Sequence, residues 1–343
     1  MRRLLYASLL IMGFALAGCA ARPADERVIS KMLDGPLDTV STITLYGWSG
    51  DEKPIEDIFT MLYGIDARMS AISEESEISA ISGRTGTPAK VSKDTFELIE
   101  YAKKISAETE GAFDITIRPV VSLWGIGTEN TRVPGSEEID AALLSVGYEG
   151  IILDKAMSAV TLSKKGMRLD LGGIAKGFAC DKAVEIFKNA DVRHGVIDMG
   201  GNVYVYGLKP DGSLWKVGVK NPLAGENGYF CVVEAADRAI VTSGVYERFF
   251  ESDGKFYHHI MNPRTGRPVD NGLISVTVIS ESSTQADALS TACFVLGAER
   301  GRRHLAMLPN VEGIFVADDL SVRITPGLRD VFNIVDERFK MAD

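Results

Sequence analysis

Cysteine is scarce: four residues in 343, at positions 19, 180, 231 and 293, with no CxxC spacing. That excludes a readable disulfide framework or zinc site, and Cys180, Cys231 and Cys293 read as small buried apolar residues. Cationic excess is missing too, the formal net charge being −10. An acidic chain of this kind is a poor fit to nucleic acid or to broad adhesion on anionic lipid. Between residues 30 and 340 there is no repeat at a fixed period and no long flexible linker, which leaves one large domain or two modules. Neither a Walker A loop nor a GxGxxG turn occurs in the glycine-rich stretch GGIAKG at 172 to 177.

What is present begins with an address. Arg2 and Arg3 precede an apolar run from Leu4 to Leu16, too short to span a bilayer permanently, closed by LAGC at 16 to 19. This resembles the lipobox of bacterial lipoproteins, in which Cys19 is lipidated and becomes the first residue. The resemblance implies a lipid-anchored protein of the bacterial cell envelope facing the periplasm, whereas cleavage as an ordinary signal peptide would release it. Residues 1–18 are expected to be the signal, 19–30 a polar tether and 31–343 a single domain.

Strand and helix patterns alternate without a steady βαβ rhythm, which favours α+β over a doubly wound sheet. TVSTITLYG (39 to 47) reads as a strand. A helix follows at 55 to 69, with apolar Ile55, Ile58, Phe59, Leu62 and Ile65, and a second at 92 to 111, stopped by Gly111. A third runs from about Ile174 to Lys188, and a last one covers 283 to 308. Short strands dominate from residue 151 onward.

Four stretches carry polar chemistry. In LDLGGIAKG, glycines let backbone approach a ligand and a helix N-terminus offers amides to an anion, with Lys176 adding charge; a tight turn with a solvated lysine explains it equally. HHIMNPRTGRPV (258 to 269) sets two histidines before a turn, and alternation puts His258 and His259 on opposite strand faces, so only one faces a given site. That one could be a general base, or a strand histidine with a satisfied hydrogen bond. QADALSTACF places Asp287, Ser290 and Thr291 at i, i+3 and i+4 on one helix face, an oxygen set for Mg²⁺ or an exposed carboxylate near a helix start. TEGAFDITIRPVV sets Asp114 at an apolar strand start, where it needs a partner, either a ligand's amino group or Arg118. Ser243 and Gly244 close a further strand before an aromatic cluster, VYERFF.

Together SEESEISAIS, TEGAFDITIRPVVSLWG, LDLGGIAKGFACDKA, VIDMGGNVYVYG, VTSGVYERFF, HHIMNPRTGRPV and QADALSTACFVLG, in that order, resemble the ApbE family of FAD:protein FMN transferases, from about Leu37 to Leu328. The resemblance implies an α+β fold, with mixed and antiparallel sheets and flanking helices around a central FAD cleft. It implies FAD as substrate, Mg²⁺ as cofactor, and transfer of FMN to a threonine or serine hydroxyl of exported flavoproteins, such as subunits of redox-driven ion pumps, with release of AMP. By resemblance Asp287, Thr291 and Ser290 supply metal oxygens with the Gly173 carbonyl. Asp170 and Lys176 contact FAD, and Ala112, Phe113 and Asp114 hold its adenosine end. Leu37, Met261 and Thr265 line the site, and His259 is the base for the acceptor hydroxyl, beside Asp287 in the catalytic pair. This chain departs from the family at Leu37-Asp38-Thr39, where Met-Gly-Thr is common, and near Ile72, where many members have an aromatic residue. An FAD pyrophosphatase and a non-catalytic FAD-binding lipoprotein are the competing readings.

Overall fold

The computed structural model describes residues 27–223 and 228–342; the expected signal, Cys19 and the first part of the tether lie outside the described residues. Its frame is a nine-stranded sheet. Numbering its strands in chain order, these are β1 (Val28–Asp34), β2 (Val40–Tyr46), β3 (Gly195–Met199), β4 (Asn202–Tyr206), β5 (Arg238–Gly244), β6 (Leu273–Ser280), β7 (Glu312–Ala317), β8 (Ser321–Ile324) and β9 (Lys340–Met341). Each strand bonds to the next in chain order, so the sheet is a meander, antiparallel except for β8 with β9. The domain starts earlier than the boundary at residue 31: Val28 already pairs with Tyr46, and Ile29 turns its side chain into the core.

Everything else is inserted between these strands. After β2 come α1 (Lys53–Met69), α2 (Glu77–Ser82), α3 (Lys93–Glu108), α4 (Arg118–Trp124), α5 (Ser136–Leu143) and α6 (Ala175–Asn189). α1 buries Ile55, Ile58, Leu62 and Ile65, the stripe that the 3.6-residue period predicts. α3 is capped by Ser92, whose hydroxyl accepts the Thr95 amide. The segment around Asp114, expected as a strand, is a series of turns leading into α4, because Pro119 suits the first turn of a helix. The last helix is two: α7 (Ser283–Leu296) ends at Gly297, whose φ of 82° breaks the run, and α8 (Ala298–Leu305) follows.

β6 is buried along nearly its whole length because the sheet is covered on both faces. Val276 and Val278 belong to the main core, with Ala179, Ala183 and Phe187 of α6 and Leu289 and Phe294 of α7. Ile279 joins a second core with Ile240, Ile314, Phe230 and Val233, closed by a three-stranded sheet of Trp215–Lys220, Tyr229–Ala235 and Phe332–Ile334.

α6 and α7 cross almost in contact at Gly177. A Cβ there would lie 2.3 Å from the Ser283 carbonyl oxygen and 2.8 Å from the Asp287 Cβ. Gly177→Ala must therefore push the helices apart, and we expect it to lower the free energy of unfolding by roughly 3 kcal/mol. Denaturant titration checks this; a loss of under about 0.5 kcal/mol, the range of neutral surface changes, contradicts the tight crossing.

Candidate active site

Two helix N-termini build the centre of the site. α6 opens with no capping side chain at Ile174; the Ala175 amide returns to the Leu171 carbonyl (2.8 Å), and the Gly177 amide donates to Asp287 Oδ2 (2.9 Å). Asp181 of α6 in turn accepts the amides of Ser283 (2.7 Å) and Thr284 (3.0 Å) and the hydroxyls of Ser282 (2.7 Å) and Thr284 (2.6 Å) at the start of α7. Each helix thus places a carboxylate where the other's peptide dipoles favour negative charge. The anion at the N-terminus of α6 belongs to the protein itself. Asp181 was not singled out from the sequence; its signal was its place one turn after Gly177.

Asp287 is 4% exposed, not the solvated carboxylate of the alternative reading. Its Oδ1 accepts no hydrogen bond among the described residues, while Oδ2 holds Gly177. Ser290 and Thr291 share its helix face. The Ser290 hydroxyl donates to the Asp287 carbonyl (2.8 Å) and lies 2.8 Å from Ser243 Oγ, which is 3.3 Å from Thr291 Oγ1. Since the Ser290 proton goes to the carbonyl, Ser243 donates to Ser290 and Thr291 to Ser243. This order leaves the lone pairs of Thr291 free. Ser290, expected to supply a metal oxygen, is fully buried, with its hydroxyl engaged by Ser243 and the Asp287 carbonyl beside Thr291. Ser243 was noted in sequence only for its place at a strand end; it is part of the site.

The glycine turn closes on this group. A Cβ on Gly173 would lie 3.3 Å from the Phe113 ring and 3.5 Å from Thr291 Oγ1, so the 112–114 loop, the turn and α7 meet there. No trio of His, Cys, Asp or Glu side chains comes together among the described residues. One free carboxylate oxygen beside a hydroxyl and peptide carbonyls fits a hard cation such as Mg²⁺.

The histidines divide as alternation predicts. His258 is buried: its Nε2 donates to the Val269 carbonyl (2.8 Å) and its Nδ1 accepts the Ile260 amide (3.2 Å). His259, half-buried, places Nδ1 3.3 Å from the Arg248 carbonyl, an acceptor only; Nδ1 therefore carries the proton and Nε2 a free lone pair. Burial pushes the His259 pKa down to about 4, helped by the nearby positive charges of Arg248 and Lys176. Burial likewise pushes the Glu247 carboxyl up, against the pull of Lys176. Both side chains keep area open to water. Lys176 reaches back to the Gly172 carbonyl (3.4 Å).

Other expected ligand contacts are engaged inside the protein. Asp114 is buried and accepts the Thr116 amide (2.8 Å), the Thr116 hydroxyl (2.7 Å) and the Tyr148 amide (2.9 Å), while Arg118 pairs elsewhere. Arg118 pairs with Asp170 Oδ2 (3.1 Å), and Asp170 Oδ1 accepts the Gly172 amide (2.9 Å). Asp170 therefore shapes the glycine turn. Ala112 and Phe113 are buried beside it. Leu37, with φ 58°, sits in the β1–β2 turn, its amide held by Asp66 (3.0 Å); neighbouring Asp38 binds Arg248 (2.5 Å), which links that turn to the His259 wall. Met261 is buried in a satellite core with Trp124, and Thr265 is exposed; no hydrogen bond joins either to the Asp287 group. Ile72 is 80% exposed. A cavity of about 310 Å³ lined by Ala71, Ser79, Ser82, Gly83, Arg168 and Leu169 shares no lining residue with that group.

Fold and site define an α+β protein in which a glycine turn adjoins an oxygen-bearing helix face suited to a hard cation. The sequence profile of the ApbE family matches residues 37–315, and the chain belongs to that family. It is 36% identical over 299 residues to the FAD:protein FMN transferase of Treponema pallidum (strain Nichols), covering 83% of each chain. It is 35% identical to that of Klebsiella pneumoniae (strain 342), covering 88% of this chain and 94% of that one. Among solved structures it resembles the ApbE protein of Thermotoga maritima (TM-score 0.82, 32% identity, 89% of this chain and 99% of that one). The flavin transferase ApbE of Vibrio cholerae is similar as well (TM-score 0.79, 28% identity, 89% and 100%).

Asp287→Asn keeps an acceptor for Gly177 but loses the charge. We expect the variant to fold with a near-native unfolding midpoint and to bind Mn²⁺, read by electron paramagnetic resonance, at least roughly tenfold more weakly. Unchanged Mn²⁺ affinity would place the cation elsewhere.

Proposed function

We propose that this chain is an FAD:protein FMN transferase that cleaves the FAD pyrophosphate and joins the FMN half to a threonine or serine hydroxyl of a partner protein. The observation that carries the reading is the gathering of three polar segments around Lys176: the Gly172–Gly173 turn beside Thr291, Asp287 holding Gly177, and Glu247 and His259, which both feel the Lys176 charge. When bound, Mg²⁺ would polarise the phosphate oxygens and stabilise the charge that builds on the leaving oxygen. Asp287 Oδ1 and Thr291 Oγ1 would hold it, with the Gly173 carbonyl nearby. Lys176, on the same wall, stabilises negative charge on the pyrophosphate. The acceptor hydroxyl oxygen attacks the FMN phosphorus, the bond from that phosphorus to the bridging oxygen breaks, and AMP leaves with the bridging oxygen. His259 Nε2 takes the hydroxyl proton, because its Nδ1–H is already committed to Arg248.

The envelope address and the exported flavoprotein acceptors, subunits of redox-driven ion pumps among them, remain part of this reading. They are supported by the apolar run, the LAGC sequence ending at Cys19 and the acidic charge.

Incubating the protein with FAD, Mg²⁺ and a flavin-accepting domain tests the reaction: the acceptor mass should rise by FMN less water while AMP is released. Free FMN and AMP with no acceptor labelling would show hydrolysis instead, and unchanged FAD would show binding alone. A second test follows from the depressed His259 pKa. The neutral ring is the competent form above its pKa, so kcat/KM should hold level through neutral pH and fall only as the pH drops toward about 4. An acidic limb near 6.5, the ordinary histidine value, would contradict the assignment.

A further inference from the structure

The chain carries 47 acidic residues against 37 Lys and Arg, so its overall field opposes the approach of a dianion. A ligand with a pyrophosphate group therefore needs local positive charge where it enters. Lys176 of α6 is one such charge; among the described residues its ammonium group bonds only to the Gly172 carbonyl. A second comes from a different element. Lys220 ends the strand Trp215–Lys220 of the three-stranded sheet, is exposed, and sets Nζ 5.0 Å from the centre of the Tyr246 ring. Tyr246 in turn packs at the end of β5, where a Cβ on Gly244 would lie 2.4 Å from its ring. Ser243, the residue before Gly244, bonds to Ser290 and Thr291 of α7. One aromatic ring thus separates Lys220 from the strand end that supports the Asp287–Thr291 face.

Glu247 follows Tyr246 directly, and its carboxylate has no hydrogen bond or ion pair among the described residues. Burial pushes its pKa up; of the charges acting on it, Lys176 pulls down hardest, Asp287 pushes up, and Lys220 then pulls ahead of Arg248, its neighbour in the chain. One carboxylate that feels Asp287 and both lysines makes them a single group. Resting on the transferase reading, we infer that Lys220 is a further substrate-binding residue, which with Lys176 draws the FAD pyrophosphate to the Asp287–Thr291 face. Arg248 is unsuited to this part because Asp38 already holds its side chain at 2.5 Å. Lys176 and Lys220 balance Glu247 and Asp287, so the group is formally neutral before a cation binds; without Lys220 it would meet a dianion with a net negative charge. Stacking on Tyr246 keeps the ammonium group out of an ion pair with Glu247, which leaves its charge available. The stem is flexible, and leaving a ring at an exposed site costs little, so Nζ can swing to a phosphate oxygen.

Lys220→Met keeps the stem and removes the charge, whereas Lys220→Arg keeps the charge. The association of FAD with the full chain, in Mg²⁺ and without an acceptor, is followed by stopped-flow flavin fluorescence. Lys220→Met should unfold at the wild-type midpoint and take up FAD roughly fivefold more slowly at about 20 mM salt, the difference closing by about 0.5 M. Lys220→Arg should stay within about twofold of wild type. A wild-type rate in Lys220→Met at low salt would overturn the assignment while leaving the transferase reading intact. So would a slower rate that salt does not change, the mark of lost packing around Tyr246 rather than lost charge. A wild type that binds no FAD would remove the transferase reading and this inference together.

Discussion

The site depends on the exchange of carboxylates between α6 and α7. A buried Asp is costly unless its charge is met, and here each one is met by amides or hydroxyls at the start of the facing helix. The exchange works only because Gly177 lets the helices close to backbone contact. It also leaves Asp287 with one oxygen bound to the fold and one free. A residue held so firmly by Oδ2 presents Oδ1 in a fixed direction, which a cation site needs and a flexible surface carboxylate does not provide.

The meander accounts for how distant segments reach one cleft. The β1–β2 turn brings Leu37 and Asp38, the long insertion after β2 brings the 112–118 loop and the glycine turn, the insertion after β5 brings Glu247 to Thr265, and the one after β6 brings α7. Hydrogen bonds lock these segments together: Asp38 to Arg248, Arg118 to Asp170 within the long insertion, Ser243 of β5 to Ser290 of α7, and the Trp124 indole to the Gly266 carbonyl at 2.8 Å. The sheet supplies the frame, and its loops carry the chemistry, as is usual for sites built on rigid scaffolds.

Much of this was legible in the residues, for identifiable reasons. The α1 stripe, the Ser92 cap and the 287/290/291 face follow from helical period, and the two histidines separate because alternation forces them to. What was not legible was long-range. Asp114 was seen to need a partner, but the Tyr148 amide that it accepts is 34 residues away in sequence and could not be named. The ion pair of Asp170 with Arg118 crosses 52 residues and could not be read from the sequence either. The break at Gly297 was missed because an apolar helical pattern continues through it, although the glycine's φ of 82° stops the helix. Ser290 shows the opposite limit: its position on the helix face was right, but only the structure reveals that its proton goes to its own helix's carbonyl.

The central claim is that the free oxygen of Asp287 and the hydroxyl of Thr291 form a cation site on the FAD pyrophosphate. Anomalous diffraction from crystals soaked with FAD and Mn²⁺ tests it most directly. The account predicts a metal peak at about 2.1 Å from Asp287 Oδ1 and Thr291 Oγ1, shared with a pyrophosphate oxygen. FAD bound in the cleft with the metal peak elsewhere, or with none, would contradict it.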